Sequence, residues 1–178
     1  MHEAVPSDGP VPVPDPIAFL AGTWATRREL LDRSTGTTGT FSGTTTFTPD
    51  DGGLRWDEQG TVCWASFRGP ATRSYRIDPG VTGDPGDPGD PGATVTFPDG
   101  RVLCHLDLRS GTARDEHACP PDTYRVHFTV TSYGTIDYSW DVTGPAKDHL
   151  LTTVLTRIGA ASGPSTDGHR TPTPQDAA

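Results

Sequence analysis

From Trp24 onward apolar and polar residues alternate with a period close to two, and the alternation is broken at short intervals by glycine, proline and aspartate. Two runs carry the pattern most clearly. Tyr124, Val126, Phe128 and Val130 alternate with Arg125, His127 and Thr129, and Ile136, Tyr138, Trp140 and Val142 repeat the rhythm. The pattern predicts strands near 23–31, 38–47, 53–62, 72–77, 93–97, 101–108, 112–119, 123–131, 136–143 and 149–158. Threonine, dense at Thr44–Thr46 and Thr152–Thr153, favours strands over helix interiors. Pro49-Asp50-Asp51-Gly52-Gly53, Pro98-Asp99-Gly100 and Arg109-Ser110-Gly111 supply the turn conformations that Asp and Gly tolerate. About ten strands with local connections and no long helix predict an all-β fold, a single antiparallel barrel closed on itself to remove exposed edges.

The ends of the chain follow other rules. The run Pro6, Pro10, Pro12, Pro14, Pro16 favours extended, unpaired backbone, so 1–16 is expected to be a disordered tether. Asp15 then caps a short helical turn with Pro16 in its first position and Ile17, Phe19 and Leu20 on its apolar side. Such a turn would plug one end of something larger. The barrel domain is expected over 17–158, with 79–92 as a Gly/Asp/Pro-rich loop insertion and 159–178 as a disordered tail. Residues 83–92 repeat Gly-Asp-Pro with period three, which is far too short for a collagen helix.

Composition sharpens this division. The 18 prolines and 21 glycines concentrate in those three stretches, whereas every aromatic residue lies between Phe19 and Trp140. The formal charge is −9, Lys147 is the lone lysine and the arginines are scattered, so a nucleic-acid backbone would be repelled overall. No stretch of about 18 apolar residues exists and no leader pattern opens the sequence, so a cytoplasmic protein with no membrane association is expected. Cys63, Cys104 and Cys119 have neither metal-ligand spacing nor a dense framework, and they read as small buried hydrophobes, with a Cys104–Cys119 bridge left open.

The segment Phe19-Leu20-Ala21-Gly22-Thr23-Trp24 has the G-x-W form found at the start of the first strand in calycins, the superfamily of lipocalins and fatty-acid-binding proteins. The resemblance implies an arginine of the last strand packed over that tryptophan, and Arg157 is the match. A guanidinium over an indole face, with its donors on nearby carbonyls, would lock first strand to last, worth about 1–2 kcal/mol when desolvated. More closely, Trp56-Asp57-Glu58-Gln59-Gly60, Phe97-Pro98-Asp99-Gly100-Arg101, His105-Leu106-Asp107-Leu108, His117 to Tyr124 and Trp140 to Lys147 together resemble the calycin-like domain of unknown function 6314. A more distant resemblance is to nitrobindin-type haem barrels, through the stretch from His149 to Arg157. It implies haem as cofactor with His149 as iron ligand.

Candidate chemistry is sparse. There is no nucleophile elbow, H-E-x-x-H, P-loop or dinucleotide fingerprint. Arg27, Glu58 and Arg76 are the charged residues expected to point inward, and an arginine so placed must meet a carboxylate, an aromatic face or an anionic ligand. A simple hairpin at Ser110-Gly111 would set His117 opposite Cys104 or His105, the one internal place for an acid–base or thiol pair. His105, His117 and Cys104 are thus the catalytic candidates, and no metal site is expected because only two ligands converge. Trp56, Tyr124 and Trp140 are expected to stack on a flat ligand or fill the core. The expected function is therefore binding of a small, anionic or flat molecule inside the barrel, through Arg27, Trp56, Glu58, Arg76, His105, His117, Tyr124 and Trp140. Haem binding at His149 and an enzyme using the His105/His117 hairpin are the alternatives. Ligand identity, protein partners and oligomeric state stay open.

Overall fold

The computed structural model describes residues 9–80 and 92–159. A five-residue helix, α1 (Pro16–Leu20), is followed by ten strands: β1 (Gly22–Asp32), β2 (Thr37–Asp50), β3 (Gly53–Trp64), β4 (Phe67–Pro79), β5 (Ala93–Thr96), β6 (Val102–Leu106), β7 (Thr112–Cys119), β8 (Asp122–Ser132), β9 (Thr135–Gly144) and β10 (Lys147–Arg157). All pairs are antiparallel, in the order β6-β5-β4-β3-β2-β1-β10-β9-β8-β7. The sheet rolls into a nearly closed barrel whose first and last strands meet, Trp24 opposite Arg157.

Each strand obeys the period-two rule, so one parity faces the interior. Trp24, Phe47, Leu54, Ile77, Val95 and Leu155 fill one end almost without exposure. There α1 forms the plug. Asp15 caps it by accepting from the Ala18 amide at 3.0 Å, and Pro16 occupies its first turn. Arg157 fastens the plug to the wall. Its guanidinium sits 4.1 Å from the centre of the Trp24 ring, and Nη1 donates to the Ala21 carbonyl at 3.1 Å. Nη2 donates to the Phe19 carbonyl, and Trp24 Nε1 donates to the Leu20 carbonyl at 2.9 Å.

Two features lie beyond simple alternation. On the inner face Gly43 of β2 stands opposite Gly60 of β3, so close that a Cβ on Gly43 would fall 2.1 Å from the Gln59 carbonyl oxygen. Only glycine permits that approach where the wall bends. The second feature is the seam. The hairpin expected at Ser110-Gly111 does not form a ladder, since β6 and β7 are the two ends of the sheet. Their gap is bridged instead by the Asp115 carboxylate, which accepts from the His105 amide at 2.6 Å.

Part of the proline-rich run, expected to be loose, lies across the same end. The Val11 amide donates to the Val130 carbonyl and the Val13 amide to the Leu108 carbonyl, both at 2.8 Å, and Val13 is buried. Alternate prolines leave the intervening valines both donors and side chains to use, so an extended strap can dock. Gly111 (φ +81°) makes room, because a Cβ there would meet the Val11 carbonyl at 2.7 Å. The base of the 79–92 insertion is closed by the Gly80 amide on the Gly92 carbonyl at 2.7 Å, and the expectations for 1–8, 81–91 and 160–178 lie outside the described residues.

Candidate functional site

The end of the barrel away from α1 is open, and its floor is polar. Trp24 points inward, so Thr26, Arg28 and Leu30 follow on the same face of β1 while Arg27 is out in water. Arg28 meets Glu58 of β3 in a bidentate pair, Nη1 to Oε2 at 2.9 Å and Nη2 to Oε1 at 2.7 Å. Nε donates to Thr153 Oγ1 of β10 at 2.7 Å, and Nη2 also reaches the Tyr138 hydroxyl of β9 at 2.7 Å. Tyr138 in turn donates to Glu58 Oε1 at 2.9 Å. The side chains of Arg28 and Glu58 are only 4% and 2% exposed, so four strands are cross-braced through one desolvated network.

The network sets the charge states. Burial alone would raise the Glu58 pKa, but the hydrogen bonds and charge of Arg28, helped by Arg73 and Tyr138, outweigh it and hold the carboxyl below its usual range. Burial, followed by the Glu58 charge, pushes the Tyr138 hydroxyl well up and keeps it protonated.

Above this floor the mouth opens into adjoining cavities of about 110, 340 and 310 Å³. Arg73 of β4 lines all three. It stands directly opposite Glu58 in the β3–β4 register, yet Glu58 gives both oxygens to Arg28. Among the described residues Arg73 has no carboxylate within ion-pair distance, and its guanidinium lies 6.0 Å from the centre of the Tyr75 ring. Burial, the largest influence, raises the Tyr75 pKa. The 310 Å³ cavity is walled by Tyr75, Phe97, Tyr124 and Trp140, and Leu151 and His149 of β10 complete it. His149 also borders the 340 Å³ cavity, its ring 6.3 Å from that of Trp64. Lys147 reaches this rim with its charge already engaged by Asp122 at 2.5 Å.

The expected site residues are therefore redistributed. Tyr124 and Trp140 line the mouth, and Glu58 lies in the floor. Trp56 is core, packed against Phe47, Tyr75 and Tyr138, its indole N–H without a hydrogen-bond partner among the described residues. Arg27 is corrected to the outside, and so is Arg76, which is held by Asp78 at 2.8 Å and Asp50 at 3.1 Å because Tyr75 and Ile77 take the inward parity. His105 is exposed, with Nδ1 3.2 Å from Thr94 Oγ1. His117 shares the inward face of β7 but stands opposite Tyr124, not opposite Cys104 or His105, because β6 and β7 do not pair. Cys104 is sealed in the core, and burial followed by the charge of Asp115 pushes its thiol far up, which removes it as a thiolate nucleophile. The expected acid–base or thiol pair is thus not assembled. Arg28, Arg73 and His149 emerge as the inward polar groups that matter, and parity counted from Trp24 and from Tyr75 is the signal that finds the two arginines.

Among the described residues no group of three or more metal-ligating side chains converges, and no helix is long and apolar enough to cross a membrane. The three cysteines are unpaired.

The model of a family of unknown function, DUF6314, matches residues 20–157. No curated protein matches the sequence. Among solved structures, the S-type phycobiliprotein lyase CPES from Guillardia theta is similar with a TM-score of 0.62 at 10% identity, over 84% of this chain and 94% of that one. At that identity the likeness is one of fold. A protein of unknown function from the DUF3598 family of Nostoc punctiforme gives a TM-score of 0.49 at 12% identity, over 87% of this chain and 53% of that one. A redesigned β-barrel bound to DFHBI gives 0.41 at 19% identity, over 80% and 99%.

Proposed function

We propose that this chain, which belongs to the DUF6314 family of unknown function, binds a small anionic or flat molecule in the open mouth of its barrel. One observation carries the reading: a cavity walled by Tyr75, Phe97, Tyr124 and Trp140 adjoins an arginine, Arg73, that among the described residues has no carboxylate within ion-pair distance. Pockets of this kind, mostly apolar with a few convergent polar groups, are the usual form of small-molecule sites. The ligand-binding residues are then Arg73, Tyr124, Trp140 and Leu151, with the Arg28–Glu58 pair as a rigid floor. Three unpaired thiols fit a reducing compartment such as the cytoplasm.

The test is a fluorescence titration with two flat probes, neutral N-phenyl-1-naphthylamine and anionic 1-anilinonaphthalene-8-sulfonate. Saturable one-site enhancement is expected for at least one of them, and it should vanish in Leu151→Trp, where the larger ring fills the cavity. Failure of both probes to saturate, or an unchanged response in a folded Leu151→Trp, overturns the reading.

A second reading rests on His149, whose imidazole borders the two larger cavities. In that reading His149 would hold haem iron and Arg73 would meet a propionate. Added haemin should then give a Soret band that His149→Ala lacks, and absence of the band in the wild type removes it.

A further inference from the structure

Resting on the reading of the mouth as a ligand site, we infer that its ligand is a planar aromatic monocarboxylate, with the carboxylate on Arg73 and the ring against Tyr124 and Trp140. Charge balance comes first. Arg28, Arg73 and Glu58 line the mouth and its floor, and Arg28 takes both oxygens of Glu58. Lys147 at the rim is matched by Asp122. Among the described residues no carboxylate other than Glu58 lines the three cavities. One positive charge, that of Arg73, therefore remains over, and a single anionic group completes it. A guanidinium presents a fork that fits the two oxygens of a carboxylate.

The shape of the wall sets the rest of the molecule. Tyr75, Phe97, Tyr124 and Trp140 follow one another at centroid distances of 5.9, 6.4 and 6.5 Å, tilted or edge-to-face, along the 310 Å³ cavity. The arc begins beside Arg73, whose guanidinium faces Tyr75. Ring edges and faces offered in this way favour another flat ring over a flexible chain. The volume is at the small end of ligand pockets, which suits a bicyclic ring. A phosphate ester would bring a second negative charge, and among the described residues the other guanidinium and the ammonium of the mouth, Arg28 and Lys147, are already engaged by Glu58 and Asp122.

The experiment is calorimetric titration of the whole chain with 2-naphthoate, 2-naphthamide and 2-naphthyl phosphate, three probes that share one ring system. The acid is expected to bind at least tenfold more tightly than either the amide or the phosphate. Arg73→Gln should erase the preference over the amide, and Arg73→Lys should keep part of it. Arg73 is exposed on its strand, so the variants are expected to melt like the wild type. Raising the salt should narrow the gap between acid and amide, since the pair is open to solvent. Equal binding of acid and amide overturns the carboxylate assignment and leaves a binding mouth intact. Tighter binding of the phosphate overturns the single-charge argument, and a preference that survives in Arg73→Gln overturns the role of that residue. No binding by any of the three removes the underlying reading as well.

Discussion

Arg28 and Glu58 are almost fully desolvated, and neither could be so without the other. Removing one partner strands a buried charge, which costs about 3–5 kcal/mol, whereas replacing both by apolar groups can be close to neutral. Glu58→Ala is therefore expected to lower stability by about that amount in urea melts, and the Arg28→Met/Glu58→Leu double variant to recover much of the loss. Equal damage in single and double variants would show that the pair does not act as a unit. The pH dependence follows from the same bonds. Because the folded carboxyl titrates below its ordinary value, the stabilisation it supplies is complete above that value and is lost as pH falls through the folded one. Wild-type unfolding midpoints should drop on acidification below about pH 4.5 more steeply than those of the double variant. Parallel curves would contradict this.

At the scale of elements, α1 is too short to hold itself and depends on what grips it. Arg157 stacks on Trp24 and caps two carbonyls at the end of the helical turn, so plug and seam share one side chain. Arg157→Met keeps much of the apolar stem but loses the cation–π contact and the hydrogen bonds, an expected cost of about 2–3 kcal/mol. Amides of α1 should then exchange faster than those of β3, and unchanged exchange would dissociate the plug from Arg157. The Gly80–Gly92 hydrogen bond closes the base of the insertion between β4 and β5 like an ordinary hairpin. Replacing residues 81–91 by Asn-Gly should therefore leave the melting temperature within about 3 °C, a shift corresponding to about 1 kcal/mol. A larger fall would mean that those residues support the barrel. All ten strands and the helical turn are legible from alternation and turn chemistry, because half-buried strands must repeat every second residue. Trp24 and Arg157 are legible as a pair only through the resemblance to calycins, which implies a last-strand arginine over the first-strand tryptophan. The β6–β7 connection is not, since a tight turn predicts a hairpin whether or not its strands pair.

For the whole molecule, the barrel is asymmetric: one end plugged and strapped, the other open over a polar floor. The strap is part of the closure. Truncation through Val13 removes a buried valine and two backbone hydrogen bonds, and an expected loss of about 2–4 kcal/mol should appear in the urea midpoint. No change would return this segment to the status of a tether.

The meeting of Trp24 with Arg157 was implied by the resemblance to calycins, whereas the sequence by itself determined that the chain is all-β, how many strands it has and where they turn. These are local properties, written in period, glycine and proline. Parity counted from Trp24 puts Arg28 rather than Arg27 inside, but only the tertiary structure decided what Arg28 meets there, because Glu58, Tyr138 and Thr153 lie on strands distant from it in sequence. It also decided that Glu58 is claimed by Arg28, leaving Arg73 over, and that His117 lies opposite Tyr124. The first outcome depends on strands far apart in the chain being brought side by side, and the second on β7 turning back onto β8 instead of pairing with β6.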